Sequence, residues 1–354
     1  MANLSLHPLW LTFMPIYQRS VGLCTHLFSA LAFYLILTKT PISSKLFAKY
    51  LMLLQASITL VDFNFGLLVC PIALFPIPGG LCNGILCTWF GLTGHAGITI
   101  MFFSVAFVGV SIIYCFHFRL VSIGQMLVQD SIEATRHIVF RILLLVVYVI
   151  PCALQIGTYR NLEGGSLFVK KNFSSLYYLI ANPEYRAFVY DLTLYPEYSL
   201  VVASSTVFVS SLKKINFLKI CHNKCVQIMI LALVLVVYFA ISSFLLLSKQ
   251  SLLSDKTKLI QQQMMKILII QTLIPMLIQL SPLFIYTYSM IAVALNPNLA
   301  NAIFCFQLTH AFIHTSILLG TTPSYRESLM FWRRKEESPS ASRFTQLRQI
   351  SHQF

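Results

Sequence analysis

Charged residues are scarce in this sequence. Only 10% of its 354 residues are Asp, Glu, Lys or Arg, whereas 57% are hydrophobic. A soluble domain carries about 25% charged residues, and a chain of this size needs a largely polar surface to stay in water. The composition therefore excludes a soluble globular fold and indicates a protein that a lipid bilayer surrounds.

Acidic residues are scarcer than basic ones: the sequence has 11 Asp and Glu, 25 Lys and Arg, and a net charge of +14. The basic residues stand between apolar runs, which is typical of the cytoplasmic loops of a membrane protein and not of a nucleic-acid-binding surface. Regular alternation of apolar and polar residues at barrel length is also missing. We therefore expect spanning helices and no nucleic-acid partner.

The stretches without charge predict the number of helices. A spanning helix needs about 20 apolar residues. Three stretches suffice for one helix each, and two suffice for two helices each, because turn-forming residues at 76–80 and 296–298 break them. The seven expected spans lie near 20–38, 51–75, 88–116, 140–159, 227–248, 267–290 and 300–321.

Lys and Arg predict the orientation. With the N-terminus outside, 16 of them lie on the inside and 9 on the outside, and eight of those nine lie in the long segment 160–227, where charge has little influence on topology. We expect residues 1–19 outside, the bundle over 20–325 and a cytoplasmic tail over 326–354. The glycosylation sequons at Asn3 and Asn172 then both lie outside.

The start of the tail predicts an interfacial helix. Ser324 and Glu327 have the spacing of a capping box after Pro323, and Trp332 precedes three basic residues, a composition that favours an amphipathic helix on anionic lipid. The expected fold is thus all-α: a seven-transmembrane-helix bundle, N-terminus outside and C-terminus inside, with a short interfacial helix after the seventh span.

Ionisable residues inside the spans are few. Asp62 is the only carboxylate there, and such a group is a functional candidate by default. A packing hydrogen bond, a polar cluster that supports a conformational switch and direct ligand contact remain open for it. His310 and His314 share one helix face, but the glutamate and third ligand of a zinc site are missing nearby. We expect no metal, no cofactor and, without a nucleophile or phosphate-binding motif, no enzyme.

The fifth span fits its sequence poorly. Residues 198–212 are apolar but too short to span, and four lysines follow before residue 225. Joining Phe208 directly to Ile228 would give one continuous helix. Residues 209–227 are therefore either a retained intron or a genuine long outer loop.

Residues 62–101 carry the most specific resemblance to a known family. Its points of match are Asp62, Pro71, Phe75-Pro76, Gly80, Trp89-Phe90-Gly91, His95 and Thr99-Ile100. This pattern resembles the nematode serpentine chemoreceptors of class I and the related class H, which are G-protein-coupled receptors. Gln271, Pro275 and Pro282 resemble the family's sixth span, and the ending Pro-Ser-Tyr-Arg at 323–326 resembles its Pro-Tyr-Arg with one residue inserted.

Two features depart from the wider receptor pattern. The third span closes at Arg119 without a preceding acidic residue, and residues 153–220 contain no cysteine that would pair with Cys82. The usual outer disulfide is therefore not inferred.

The resemblance implies a chemosensory receptor in the plasma membrane or ciliary membrane of a sensory neuron. Its expected partners are membrane lipid, a small environmental or pheromone-like ligand and a heterotrimeric G protein. The alternative from another class is a seven-helix ion channel or small-solute transporter. Several ionisable residues near the midplane would favour that alternative, and the sequence shows one aspartate there.

Three groups of residues are predicted to form sites. An apolar, aromatic ligand pocket is expected from Trp89, Phe90, His95, Tyr286, Tyr288, Phe304 and His310, with simple packing or an interfacial aromatic belt as the alternative. A switch or packing role is expected for Asp62, Pro275 and Pro282. G-protein coupling is expected from Arg119, Lys256, Lys258, Tyr325 and Arg326.

Overall fold

The structure, a computed structural model, consists mainly of helices in the residues that it describes. These are residues 5–125, 133–162, 164–191, 238, 241–243, 245, 255–292 and 296–330. The helices are α1 (Leu9–Lys39), α2 (Lys45–Phe63), α3 (Ile85–Thr88), α4 (Gly94–Gln125), α5 (Glu133–Gly157), α6 (Gly165–Asn172), α7 (Tyr177–Ala181), α8 (Asp255–Ala292), α9 (Pro297–Gln307), α10 (His310–Thr321) and α11 (Pro323–Leu329). A π-helical turn, Asn64–Leu68, extends α2.

Within the described residues, four helices are long and apolar enough to cross a membrane. They are Leu9–Lys39, Lys45–Leu68, Gly94–Ile123 and Pro297–Thr321, at the positions of the expected first, second, third and seventh spans. Most of the expected fifth span, 227–248, and all of residues 209–227 lie outside the described residues, so the retained intron stays a hypothesis.

Several helices begin or end at other residues than the expected spans. Helix α1 begins at Leu9 instead of near residue 20, so that Arg19 lies within the helix. The second span ends at Leu68 instead of near 75, since Cys70 has a positive φ of 43° and the proline after it cannot donate a helical hydrogen bond. The third begins at Gly94 instead of near 88. The expected spans were sized to the bilayer, so α1 and the far end of α4 continue beyond them, whereas the end of the second span and the start of the third are set by the segment between them.

A small antiparallel sheet lies between these helices, an element that the charge-free runs did not predict. Its strands are β1 (Pro71–Ala73), β2 (Gly79–Cys82) and β3 (Ala187–Val189), in the order β1-β2-β3. The predicted break at 76–80 is therefore the turn of a hairpin, in which Ile72 faces Leu81. The third strand comes from the segment after α5, with Phe188 opposite Gly80.

The two ends of the bundle differ. We call the end with the sheet the cap face and the end with α11 the tail face. Near the cap face, buried side chains of α1, the hairpin, α6 and α9 form one apolar cluster, which includes Met14, Ile72, Val169 and Phe304. Towards the tail face, α2, α4, α5, α8 and α10 share a second cluster, whose members include Leu54, Phe116, Leu144, Met265 and Ala311.

Small and polar residues line the contact between α1 and the segment that runs from α2 to β1. Gln18 donates a hydrogen bond of 2.7 Å to the Pro71 carbonyl, and further along Gln55 donates one of 3.1 Å to Ser29 Oγ. Between these layers, Gly22 and Gly66 meet backbone to backbone. Small residues allow such close approach between helices in a membrane, where packing and hydrogen bonds replace the hydrophobic effect.

We predict that Gly66→Ala destabilises the protein. A Cβ at this position would lie 3.1 Å from the Gln18 carbonyl oxygen and 3.2 Å from Gly22 Cα, so α1 and α2 must separate, at a cost of about 1–3 kcal/mol. The matched control is Gly109→Ala in α4, where a Cβ meets nothing within 4 Å. The melting temperature of the purified protein should fall for Gly66→Ala alone. Equal melting temperatures for the two variants would contradict the close contact.

Candidate functional site

His95 lies buried in the first turn of α4, where β3 crosses the bundle. Its Nδ1 is 2.9 Å from the Tyr190 hydroxyl and its Nε2 is 3.4 Å from Thr99 Oγ1. The Tyr159 ring centroid is 5.4 Å from that of His95, edge to face. We call His95, Thr99, Tyr159 and Tyr190 the cap-face cluster. It combines aromatic surface with polar atoms that can orient a ligand.

The position of this cluster depends on Gly94. A Cβ there would lie 2.6 Å from Phe188 Cδ1 and 2.9 Å from the Arg186 carbonyl oxygen, so only glycine lets β3 come this close to α4. The Tyr190 N–H donates a hydrogen bond of 2.9 Å to the Pro78 carbonyl. The segment after α5 is thereby attached both to the hairpin and to His95.

A second polar site lies where the seventh span is interrupted, between the end of α9 at Gln307 and the start of α10 at His310. His310 Nδ1 is 3.1 Å from the Gln307 carbonyl oxygen. His314, one turn further on, is 1% exposed, and among the described residues neither of its ring nitrogens has a hydrogen-bond partner. Gln307 Oε1 also has none in the part of the chain described. Native proteins rarely leave buried polar groups unpaired, which makes this break a candidate binding position.

Asp62 faces α1 from the last turn of α2. Its side chain is buried and hydrogen-bonds with Thr25. Its Oδ2 and the Oδ1 of buried Asn64 have no partner in the described residues. The π-helical turn follows directly, and such turns are frequent at functional sites.

Arg119 of α4 contacts two other helices, α2 and α8, at the tail face. Its guanidinium is buried, lies 3.7 Å from the centroid of the Phe47 ring, and donates from Nη1 to Gln261 Oε1 at 3.4 Å and from Nη2 to Met264 Sδ at 3.6 Å. Gln261 and Met264 belong to α8, so this arginine connects α4 with α8. Both of these α8 partners are uncharged. We call this set of contacts the Arg119 latch.

Two further contacts hold the tail face. The buried Tyr325 hydroxyl of α11 is 2.8 Å from Thr40 Oγ1 at the end of α1, and burial raises the pKa of Tyr325 above its usual 10.0, so this contact stays uncharged. Gln271 of α8 donates a hydrogen bond of 3.1 Å to Thr321 Oγ1 at the end of α10. Arg326, beside Tyr325, is exposed.

One known family matches most of this chain. The family model described as the serpentine type 7TM GPCR chemoreceptor Srh matches residues 12–334. The chain belongs to the Srh family. Srh is class H, the second of the two classes that the residues resembled, and the protein is thus an all-α seven-transmembrane receptor of the chemoreceptor type. A comparison with curated proteins finds no match.

The structure places the predicted pocket residues of this Srh chain in different surroundings. Trp89 and Phe90 are 80% and 72% exposed and do not face the bundle interior, because α3 ends at Thr88 and the chain turns outward before α4. Phe304 is buried against Phe65, with ring centroids 5.5 Å apart. His95 and His310 are buried at the two positions described above.

The remaining predicted residues lie in α8, in α6 or outside the described residues. Tyr286, Tyr288, Pro275, Lys256 and Lys258 lie in α8, and their side chains are outside the described residues, whereas Pro282 is buried. Asn172 ends α6 and donates a hydrogen bond of 2.9 Å to the Phe168 carbonyl, and Asn3 lies outside the described residues.

The residues that sequence reasoning missed are Tyr159 and Tyr190. Tyr190 is separated from His95 by 95 positions, and no local pattern indicates that its segment returns to α4. A disulfide, Cys82–Cys87, was also missed, because the partner was sought in 153–220. In the described part of this Srh chain, no three His, Cys, Asp or Glu side chains lie close enough to hold a metal.

We predict that His314→Leu raises the melting temperature of the ligand-free protein. The substitution removes two buried ring nitrogens without a described partner, and each such group costs about 1–3 kcal/mol. The neighbouring control, Thr315→Val, should lower the melting temperature, because Thr315 accepts a hydrogen bond of 3.0 Å from Gln55. A loss of stability in His314→Leu as large as that in Thr315→Val would show that His314 has a structural role.

Proposed function

We propose that this protein is a chemosensory receptor of the plasma membrane that binds a small environmental or pheromone-like ligand and signals to a heterotrimeric G protein. Membership in a chemoreceptor family supports the general class. The Arg119 latch supports the mechanism, because it links α4 and α8 through contacts that a modest free energy can break. Sensory cilia are the proposed location, and we propose no catalytic activity.

The ligand is proposed to bind between the cap-face cluster and the break in the seventh span. These two positions hold the buried polar groups His95 and His310, and buried Phe304, one turn before the break, provides apolar surface. A few polar groups in an apolar surrounding suit a small, mostly apolar molecule with one or two hydrogen-bonding groups. Trp89 and Phe90 are removed from the proposed pocket because they are exposed.

Activation is proposed as a shift between two packings of the tail face. In the described state, Arg119 is buried and bound to α8. When α8 moves away from α4, Arg119 becomes available to the G protein, and the exposed Arg326 and the lysines at 256 and 258 are proposed to contribute to the same contact. The ligand favours this state by binding it more tightly than the latched state.

We predict that Gln261→Leu raises ligand-independent signalling. It removes the oxygen that accepts from Arg119 Nη1, and losing about 0.6 kcal/mol from the latched state shifts the population about threefold. Gln263→Leu is the matched control, since it makes the same chemical change at an exposed position of α8. Second-messenger output in cells with equal surface expression measures the effect.

The same assay tests the G-protein site. Arg119→Ala and Arg326→Ala should each lower signalling at normal surface expression, since both side chains belong to the proposed contact. Unchanged output in both variants, or an equal rise in Gln261→Leu and Gln263→Leu, would contradict the proposed mechanism.

The topology is a separate prediction. We expect a tag before Met1 to be reached by antibody in intact cells and a tag after Phe354 only after permeabilisation, because the short segments on the tail side carry most of the basic residues. Asn172→Gln should remove one glycan and increase gel mobility, provided that the cap face is outside. Opposite labelling of the two tags would refute both the orientation and the receptor mechanism.

A further inference from the structure

Trp89 and Phe90 lie side by side at the tip of the segment between α3 and α4. Their side chains are 80% and 72% exposed, although three residues of the segment that leads to them are fully buried. Leu81, Cys82 and Cys87 have no exposed surface. Two large aromatic side chains therefore project from a well-packed base. We call Trp89, Phe90 and Gly91 the aromatic tip.

The backbone of the tip is held in place. The Trp89 and Phe90 N–H groups donate hydrogen bonds of 2.9 and 3.3 Å to the Ile85 carbonyl, and Leu92 N–H donates one of 3.0 Å to the Leu86 carbonyl. Gly91 supplies the positive φ, 68°, with which the chain turns back. The Cys82–Cys87 disulfide ties the base to the hairpin. Since these N–H groups are satisfied internally, the tip can leave water without a large loss of backbone solvation.

The surrounding sequence contains no charge. Residues 63–118 include no Asp, Glu, Lys or Arg, so the hairpin, α3 and the tip are all uncharged. The segment 158–191, which also reaches the cap face, contains seven such residues and has the composition of a surface in water. The contrast indicates that the tip faces a less polar medium than its neighbour does.

The length of α4 places the tip at the level of lipid headgroups. Arg119 is the first charged residue after the uncharged stretch, and it follows Gly94 by 25 positions, or about 38 Å of helix at 1.5 Å per residue. The hydrocarbon core is about 30 Å thick and the whole bilayer about 40–45 Å. With Arg119 at one edge of the hydrocarbon, Gly94 lies in the headgroup region of the other leaflet. Trp and Tyr side chains concentrate at this depth in membrane proteins.

We propose that the aromatic tip inserts into the cap-side leaflet and anchors the start of α4 to lipid. The occupant of this exposed surface is the acyl-chain and headgroup boundary of the bilayer, with which the lipid-facing side of α4, including exposed Ile100, is continuous. The anchor fixes the first turn of α4, which carries His95. It does not depend on the proposed ligand or G protein.

The test uses the fluorescence of Trp89 in the full chain. The sequence has three tryptophans, so Trp10→Phe with Trp332→Phe leaves Trp89 as the only one. The protein is reconstituted in phosphatidylcholine nanodiscs with nitroxide-labelled lipid, the label placed near the headgroup or near the chain end, and aqueous iodide is added separately. The label near the headgroup should quench most, and iodide quenching should be about threefold weaker than for a tryptophan exposed to water.

The outcomes separate the possible surroundings of the tip. Strong iodide quenching with little lipid quenching would overturn the anchor and place the tip in water. Weak quenching by both would overturn it in favour of a protein contact, such as a second copy of the chain. If the double variant fails to fold, the difference between the wild type and Trp89→Phe reports the same signal. Trp89→Phe with Trp332→Phe, which leaves only the half-buried Trp10, is the matched control for lipid quenching.

Discussion

The amide of Gln55 joins three helices, donating to Ser29 on α1 and to Thr315 on α10 from its place on α2. In a bilayer, apolar side chains gain little by leaving lipid for protein, so association depends on packing and on polar groups that have no better partner. The same constraint explains the rest of the α1–α2 contact. Its layers, in order along α1, are Gln18 with Pro71, Gly22 with Gly66, Thr25 with Asp62 and Ser29 with Gln55. This register decides where Asp62 lies and where the hairpin leaves the bundle.

The two faces use this polar chemistry differently. At the cap face, contacts support one another: a disulfide, a three-stranded sheet, and the side chain of Asn301, which both accepts from the Ala73 N–H and donates to its carbonyl. At the tail face, the described polar links include the Arg119 latch, with its contacts to Phe47, Gln261 and Met264, and the hydrogen bond from Gln271 to Thr321. None of these links is covalent or part of a sheet, so the tail face can rearrange while the cap face stays in place.

The sequence was informative where one local property decides the outcome. The structure describes four membrane-length helices that overlap charge-free stretches of the sequence. Asp62 and Arg119, which the sequence analysis singled out, are both buried. Contacts between segments that are far apart in the sequence could not be predicted. Strand β3 has only three residues and pairs with a strand more than 100 positions earlier, so it is too short to show an alternating pattern of apolar and polar residues. The contact of Tyr190 with His95 could not be predicted for the same reason. Trp89 and Phe90 were assigned to a pocket because aromatic residues suit both a binding site and a membrane interface, and only the direction of the side chains separates the two.

The hydrogen-bond partners at the tail face are uncharged, and this affects how small an activating ligand can be. Interhelical hydrogen bonds in membranes contribute about 0.6 kcal/mol each on average, so the three bonds made by Gln261, Thr321 and Thr40 together contribute about 2 kcal/mol to the stability of this face. Breaking a buried ion pair instead costs about 3–5 kcal/mol. Moving a two-state equilibrium almost completely requires a differential affinity of about 5.5 kcal/mol, and small ligands bind with at most about 1.5 kcal/mol per heavy atom. Because the hydrogen bonds at this face are made to amides and hydroxyls, a ligand of few atoms can supply the difference in binding free energy that opens it. An acidic residue at position 261 would form an ion pair with Arg119, and the same ligand would then have to supply a larger difference.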